Sequence, residues 1–163
     1  MRIAILFLLF FFFGRVIAQD KSTIDSLERR LPVLTGVERS SALYELVYYY
    51  LRVDNTSARK YFEEAKVLGR DSGAPIRVYT TMAQGIYYNR SGLLDSAMLL
   101  LEEARVLAQQ VRDDHALVRI LSSLAHTFIS SGKAEKGLDC LYQALRIVNE
   151  HPDREMELKL RTN

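Results

Sequence analysis

The chain has few of the residues that break helices, and few that carry metal or covalent chemistry. Its 163 residues include 3 Pro, 8 Gly, no Trp and a single cysteine, Cys140. A lone cysteine cannot close a disulfide within the chain, and the three His show no ligand spacing, which excludes a zinc site. Cys140 stands in a helical pattern and is interpreted as a small buried hydrophobe rather than a reactive thiol. The scarcity of breakers favours long helices over many short strands.

An excess of positive charge is also absent once the N-terminal segment is set apart. The chain has 22 basic and 20 acidic residues, and two of the basic ones, Arg2 and Arg15, lie in segment 1–18, which contains no acid. The remainder of the chain therefore carries no net charge. Nucleic-acid binding depends on basic stripes that neutralise phosphates. We expect no nucleic-acid partner for these residues.

Catalytic patterns are lacking as well. No G-x-G-x-x-G or phosphate-loop motif occurs. Two acidic pairs, Glu63–Glu64 and Glu102–Glu103, recur as copies of one another and are interpreted as solvated helix faces. Asn55 and Asn89 begin glycosylation-type triplets, which cap and turn chemistry explains better. We expect no catalytic residues, no metal, no cofactor and no enzyme activity, although an enzyme with an unrecognised site is the least favoured alternative.

Segment 1–18 has the composition of a signal peptide. Arg2 precedes an unbroken apolar run from Ile3 to Phe13, and Ala18 offers a cleavage site that would leave Gln19 first. A run of this length is too short for a bilayer, which needs about 20 apolar residues. We expect cleavage and export across the inner membrane, to a periplasmic or extracytoplasmic location. An uncleaved anchor is the alternative.

An internal repeat is the strongest signal in the sequence. Five positions recur three times in one register, at an offset of about 40 residues that changes by a single insertion between copies. The five sets are Leu46, Gly85 and Ala125; Tyr49, Tyr88 and Phe128; Ala58, Ala97 and Gly137; Phe62, Leu101 and Leu141; and Ala65, Ala104 and Ala144. Apolar spacings of three and four residues around them indicate helices. Each copy is predicted to be two antiparallel helices, with turns near residues 53–55, 91–92 and 131–132.

The sizes of the recurring residues resemble those of a known repeat family. Helices pack closely where small side chains meet large ones. The chain resembles tetratricopeptide (TPR) repeats, which place a small residue, an aromatic three later, a turn Gly, and then alanines around a large residue. The matching positions are Gly85, Tyr88, Gly92, Ala97, Leu101 and Ala104, followed by Ala125, Phe128, Gly132, Gly137, Leu141 and Ala144.

Two departures from the family pattern leave another helical repeat open. The period is longer than that of TPR repeats, which is about 34 residues. In the first copy Val53 replaces the turn glycine. HEAT-like pairs share the longer period and are the alternative fold. The fold class is predicted to be all-α, an antiparallel helix-pair solenoid of the TPR-like kind with about three repeats and an N-terminal capping helix.

The repeat register divides the chain into segments. A short helix is expected at Ser22–Leu31, and the last residues begin like a further copy, which suggests a truncated protein. The predicted segments are a signal peptide at 1–18, a capping helix and linker at 19–37, repeats at 38–73, 74–112 and 113–151, and the start of a truncated repeat at 152–163.

The resemblance implies a ligand surface on the concave face, which the first helix of each copy forms. The implied groove residues are Leu43, Val47, Tyr50, Tyr79, Met82, Ile86, Asn89, Arg90, Arg119, Ser122, His126 and Ile129. Each of them could instead pack on a neighbouring helix, and His126 could be an ordinary exposed residue. The carboxylate clamp of chaperone-binding TPR domains is doubtful, because apolar residues such as Val47 and Met82 stand at its positions.

The function that follows is a non-catalytic module that binds a protein or peptide. The signal segment, the lone helix and the TPR-like copies resemble the extracytoplasmic region of bacterial sensor histidine kinases and related regulators. We therefore expect the sensory or interaction part of a signalling protein, with a membrane reached only through a segment beyond Asn163. A stand-alone exported scaffold is the alternative.

Overall fold

The computed structural model describes residues 21–150, and every regular element among them is a helix. Helix α1 covers residues 21–30, and a single 3₁₀ turn, Leu31–Val33, follows it. The other helices are α2 (Gly36–Val53), α3 (Asn55–Gly69), α4 (Ala74–Arg90), α5 (Leu94–Val111), α6 (Asp114–Ser130) and α7 (Ala134–Glu150). The predicted all-α class is confirmed for these residues. The predicted segments 1–18 and 152–163 lie outside them.

The described chain forms two compact units. The first ends at Leu34 and contains α1 and the 3₁₀ turn, with Ile24, Leu31 and Leu34 buried. Pro32 stands at the start of the 3₁₀ turn, where its missing N–H leaves no helical hydrogen bond unmade. The helix expected at Ser22–Leu31 is therefore present, and its role as a cap stays a prediction.

The second unit, from Thr35 onward, contains three packed helix pairs: α2 with α3, α4 with α5, and α6 with α7. The pairs also pack on one another, because α4 contacts both α2 and α3, and α6 contacts α5 and, to a lesser extent, α4. A short turn reverses the chain after each helix, so α2, α4 and α6 run in the same direction. The three first helices therefore lie on one side of the unit.

The predicted turns fall between the members of each pair. Gly92 and Gly132 both have a φ of +78°, which L side chains rarely adopt. In each turn the third residue after the helix bonds back to the helix, Leu93 N–H to Tyr88 C=O and Lys133 N–H to Phe128 C=O. This is the hydrogen-bond pattern of a Schellman motif. The glycines therefore end α4 and α6 in the same way.

The turn within the first pair has a different structure. Asp54 alone joins α2 to α3, and its carboxylate accepts hydrogen bonds from the Thr56 and Ser57 N–H groups. The Ser57 hydroxyl and these N–H groups hold the pKa of the Asp54 carboxyl below its usual value. An N-cap aspartate thus starts α3 where the sequence lacks the turn glycine.

Small residues form the seams within the pairs, as the repeat predicts. A Cβ added at Gly85 would lie 2.7 Å from Leu101 Cγ, and one at Gly137 would lie 2.7 Å from Ile129 Cγ1 and 3.0 Å from the Ala125 carbonyl oxygen. The recurring alanines of α3 and α5 are fully buried: Ala58, Ala65, Ala97 and Ala104. The paired helices approach one another so closely that no larger side chain fits.

Aromatic and polar contacts join one pair to the next. The Phe62 ring of α3 stacks on the Tyr87 ring of α4, with centroids 4.1 Å apart. Asp113 caps α6 by accepting the Ala116 N–H at 2.9 Å, and its other oxygen accepts the Tyr79 hydroxyl of α4 at 2.7 Å. One carboxylate therefore both starts α6 and ties it to the preceding pair.

The outward face of α7 is apolar and uncovered by any described residue. Leu141 is 42% exposed, whereas its counterparts in the repeat, Phe62 and Leu101, are 4% and 0% exposed. Leu138, Tyr142 and Leu145 are exposed beside it. In the first pair Tyr87 of the following pair covers this position by stacking on Phe62.

None of the helices between residues 21 and 150 combines the length and apolar character needed to cross a membrane.

We expect added volume at the seams to destabilise the fold, while loss of an exposed charge does not. Gly85→Val and Ala104→Leu should each lower the free energy of unfolding by about 1–3 kcal/mol through overpacking. Glu103→Ala removes only a part-exposed ion pair with Arg77, and such pairs are worth about 0–1 kcal/mol. Urea denaturation followed by circular dichroism measures all three, and equal losses would mean that the buried faces are assigned wrongly.

We also expect Asp113 and Tyr79 to be energetically coupled. Asp113→Ala should cost about 2–4 kcal/mol, because it removes a helix cap and leaves a buried hydroxyl without its acceptor. In a Tyr79→Phe background the same change should cost less, since no hydroxyl is stranded. A double-mutant cycle from urea melts tests this, with Asp54→Ala as a cap variant that has no such partner. Strictly additive losses would contradict the coupling.

Candidate functional site

A cavity of about 600 Å³ lies between the first helices of the three pairs. Because α2, α4 and α6 run parallel, side chains from one face of each helix meet around it. The lining residues are Tyr44, Tyr48, Leu51 and Arg52 from α2; Ile86, Asn89 and Arg90 from α4; and Val118, Arg119, Ser122, Ser123, His126 and Thr127 from α6. The cavity is therefore on the side of the first helices, where the family resemblance implies a groove.

Half of the predicted groove residues line this cavity. They are Ile86, Asn89, Arg90, Arg119, Ser122 and His126. All six come from α4 and α6. The structure brings them together, and their role in binding a ligand stays a prediction.

Three of the predicted groove residues, Leu43 and Val47 on α2 and Met82 in the middle of α4, do not line the cavity. Leu43, Val47 and Met82 are completely buried, and Tyr79 and Ile86 are only 7% and 8% exposed. The expectation that Val47, Tyr79, Met82 and Ile86 are exposed together in a groove is therefore wrong. The physical reason is the contact between α2 and α4, which closes over the sides of both helices. These residues form core between the helices.

The last three predicted residues face neighbouring helices. The Tyr50 ring stacks on Tyr61 of α3, with centroids 5.6 Å apart. Tyr79 is buried, and its hydroxyl donates to Asp113. Burial and this bond to a carboxylate raise the pKa of Tyr79 above its usual value. Ile129 is half-exposed and lies against Gly137 of α7. None of the three lines the cavity.

The residues that the sequence analysis missed come mainly from α2. Tyr44, Tyr48 and Leu51 line the cavity at helical spacing, one position along from the predicted Leu43, Val47 and Tyr50. A shift of one residue rotates a helix face by about 100°. The available signal was the pair of tyrosines four residues apart, ending in Arg52, which is a helix face in its own right.

One end of the cavity is held by a contact between the first and third pairs. The Arg119 guanidinium of α6 pairs with the Glu45 carboxylate of α2 and lies 4.5 Å from the centroid of the Tyr44 ring. Burial works against the charged guanidinium, but the bonds to Glu45 and Tyr44 outweigh it and raise the pKa of Arg119. Burial also raises the pKa of Tyr44 to about 12, so the phenol stays neutral. We name this cluster of Glu45, Tyr44 and Arg119 the cross-repeat clasp.

A second polar link crosses the cavity between α4 and α6. The Asn89 side-chain amide donates to the Thr127 hydroxyl at 2.7 Å, and that hydroxyl donates to the Ser123 carbonyl at 2.8 Å. Thr127 has no exposed surface. The link fixes the orientation of Asn89 and the spacing of the two helices at this point.

The lining of the cavity has a mixed chemistry. It combines tyrosine rings and aliphatic side chains with arginines and hydroxyls, a composition typical of pockets that hold a ligand by packing and a few polar contacts. Among residues 21–150, no group of three or more His, Cys, Asp and Glu is placed to hold a metal ion. Cys140 is buried in α7, as predicted, and burial raises the pKa of its thiol.

Comparisons with known proteins identify no family for this chain. No protein-family model matches the sequence. No curated protein matches it either. The functional argument therefore rests on the cavity and on the side chains that line it.

Proposed function

We propose that this chain is a TPR-like helical-repeat module that binds a peptide or protein segment along the groove between α2, α4 and α6. The observation that carries the proposal is the cavity itself, which has contributions from all three helix pairs. Its volume of about 600 Å³ is in the range of ligand pockets. The module acts by binding, and its own side chains catalyse nothing.

The length of the lining favours an extended segment as the occupant. On α2 the lining runs from Tyr44 to Arg52, and on α6 from Val118 to Thr127. At the helical rise per residue these spans are roughly 12–13 Å. A chain in extended conformation covers that distance with about four residues. A short stretch of another polypeptide fits the groove lengthwise.

The composition of the lining supports the same occupant. Tyr48 is 48% exposed, and its ring stacks with Tyr44 at the mouth of the groove. Tyrosine and arginine are enriched in the centres of protein interfaces, because they combine a large contact area with polar ends. Leu51, Ile86 and Val118 supply an apolar floor beside them.

The proposal also covers the location of the module and the kind of protein to which it belongs. The composition of residues 1–18 supports an exported module, and the resemblance to the sensor regions of bacterial signalling proteins supports a sensory or interaction role. A stand-alone exported scaffold would use the same groove. Both roles require that the groove bind a partner.

Filling the groove should abolish binding without unfolding the protein. Ser122 lines the groove on α6 and is exposed, so Ser122→Trp places an indole in the path of a ligand. The probe is a random library of peptides of about eight residues, twice the span of the groove. We expect the wild-type chain to enrich a set of sequences and Ser122→Trp to lose at least about tenfold in affinity for them, as roughly one to two kcal/mol of lost contacts implies.

The matched control makes the same substitution on an outer helix. Ser96 is exposed on α5 and lies outside the cavity lining, so Ser96→Trp should keep the selected peptides and the wild-type melting temperature. Selected peptides that bind Ser122→Trp as well as the wild-type chain would place the binding surface elsewhere. A library from which no sequence is enriched would overturn the proposed function.

A further inference from the structure

The charged residues of the groove are all cationic. They are Arg52, Arg90 and Arg119, and none of the described lining residues is Asp or Glu. The charge of Arg119 is balanced by Glu45 in the cross-repeat clasp. No described acidic residue forms an ion pair with Arg52 or Arg90. The groove therefore holds positive charge that the described part of the protein does not neutralise.

The uncompensated cations lie at one end of the groove. Arg52 is in the last turn of α2 and Arg90 is the last residue of α4. Because the three helices run parallel, their C-terminal ends are on the same side. The clasp, with Tyr44 and Arg119, lies toward the opposite end, so the groove is polarised along its length.

We propose that the C-terminal end of the groove binds a side-chain carboxylate of an acidic peptide segment, through Arg52 and Arg90, while an adjacent apolar side chain packs on Leu51 and Ile86. This inference rests on the proposed function and names the chemistry of its ligand. Guanidinium groups bind carboxylates through paired, charge-assisted hydrogen bonds. An opposite charge on the ligand also speeds its encounter with the groove.

Two features of the site favour an acidic peptide over an uncharged one. Arg52 and Arg90 are exposed, so a ligand can reach both without displacing a described partner. Leu51 and Ile86 line the groove within about one turn of them, so a carboxylate and an apolar contact are close enough for neighbouring residues of one peptide. Buried apolar residues, Leu43, Val47, Met82 and Ile86, stand at the positions of the family's carboxylate clamp, and Arg52 and Arg90 stand at other positions.

A competing explanation for the arginines is structural. Cations near the C-terminus of a helix interact favourably with its dipole, and Arg52 and Arg90 are placed for that. If the arginines stabilise the helix ends, replacing them lowers the melting temperature of the free protein. If they bind a ligand, replacing them removes the selectivity for acidic peptides. The two roles are therefore separable in one set of variants.

The test compares three peptide pools on the immobilised full chain, with captured peptides counted by mass spectrometry. Each peptide has about eight positions, which are random except for a fixed Leu and two positions adjacent to it. Those two positions are Asp or Glu in the acidic pool, Asn or Gln in the amide pool, and Lys in the third pool. We expect the acidic pool to be enriched about tenfold over its amide isostere, the ratio that one charge-assisted hydrogen bond supplies, and the Lys pool to be excluded. Pools with free and with amidated C-termini show whether the terminal carboxylate contributes.

Variants connect the selectivity to the residues. Arg52→Gln and Arg90→Gln should each bring the acidic and amide pools to equal enrichment, and Arg90→Lys should keep part of the preference because it keeps the charge. Arg59→Gln, which removes an exposed cation of α3 outside the groove, should leave the preference unchanged. Thermal melts on the same samples confirm that each variant is folded.

The outcomes separate this inference from the proposed function. Equal capture of the acidic and amide pools by the wild-type chain would overturn the acidic ligand and leave peptide binding intact. Preserved acidic preference in Arg52→Gln and Arg90→Gln, with lowered melting temperatures, would show that these arginines serve only the helix ends. Capture of only the free-C-terminus pools would reassign the site to a terminal carboxylate. Failure to capture any pool would overturn both proposals.

Discussion

The close approach of paired helices at small side chains is the contact on which the rest of the structure depends. Gly85 lets α4 lie directly on Leu101 of α5, and Gly137 gives α7 the same access to Ile129 of α6. Because these two seams leave no room for a larger residue, they restrict how the second and third pairs fit together. The direction of every helix, and the side on which α2, α4 and α6 emerge, follow from that fit.

The groove is a consequence of this arrangement and adds its own chemistry. The second helices, α3, α5 and α7, lie outside the cavity, and α2, α4 and α6 each present one face to it. That space collects tyrosine rings, an aliphatic floor and cations of which only Arg119 has a described carboxylate partner. The core residues that position it, such as Leu43 and Met82, do not line the cavity. Core residues and cavity-lining residues therefore occupy different faces of the same helices.

The sequence predicted the helices, their turns and the seam residues, because period, small residues and breakers are local signals. It predicted the lining of α4 and α6 and failed on α2. The register copied from one repeat to the next identified Leu43 and Val47 as counterparts of groove residues, yet these residues are fully buried. How far a helix is rotated against its neighbours depends on packing across pairs, which a single-chain periodicity does not encode. The contact between Glu45 and Arg119, 74 positions apart, is invisible in the pattern for the same reason.

That contact changes how the fold must come together. In a simple helical array each repeat touches only its neighbours, so stability is a sum of local terms and folding can begin anywhere. The clasp joins the first pair to the third and closes a long loop, whose entropic cost must be met before the contact forms. The clasp therefore adds a non-local contribution to the stability of the unit, and the cavity beside it is complete only when all three pairs are in place.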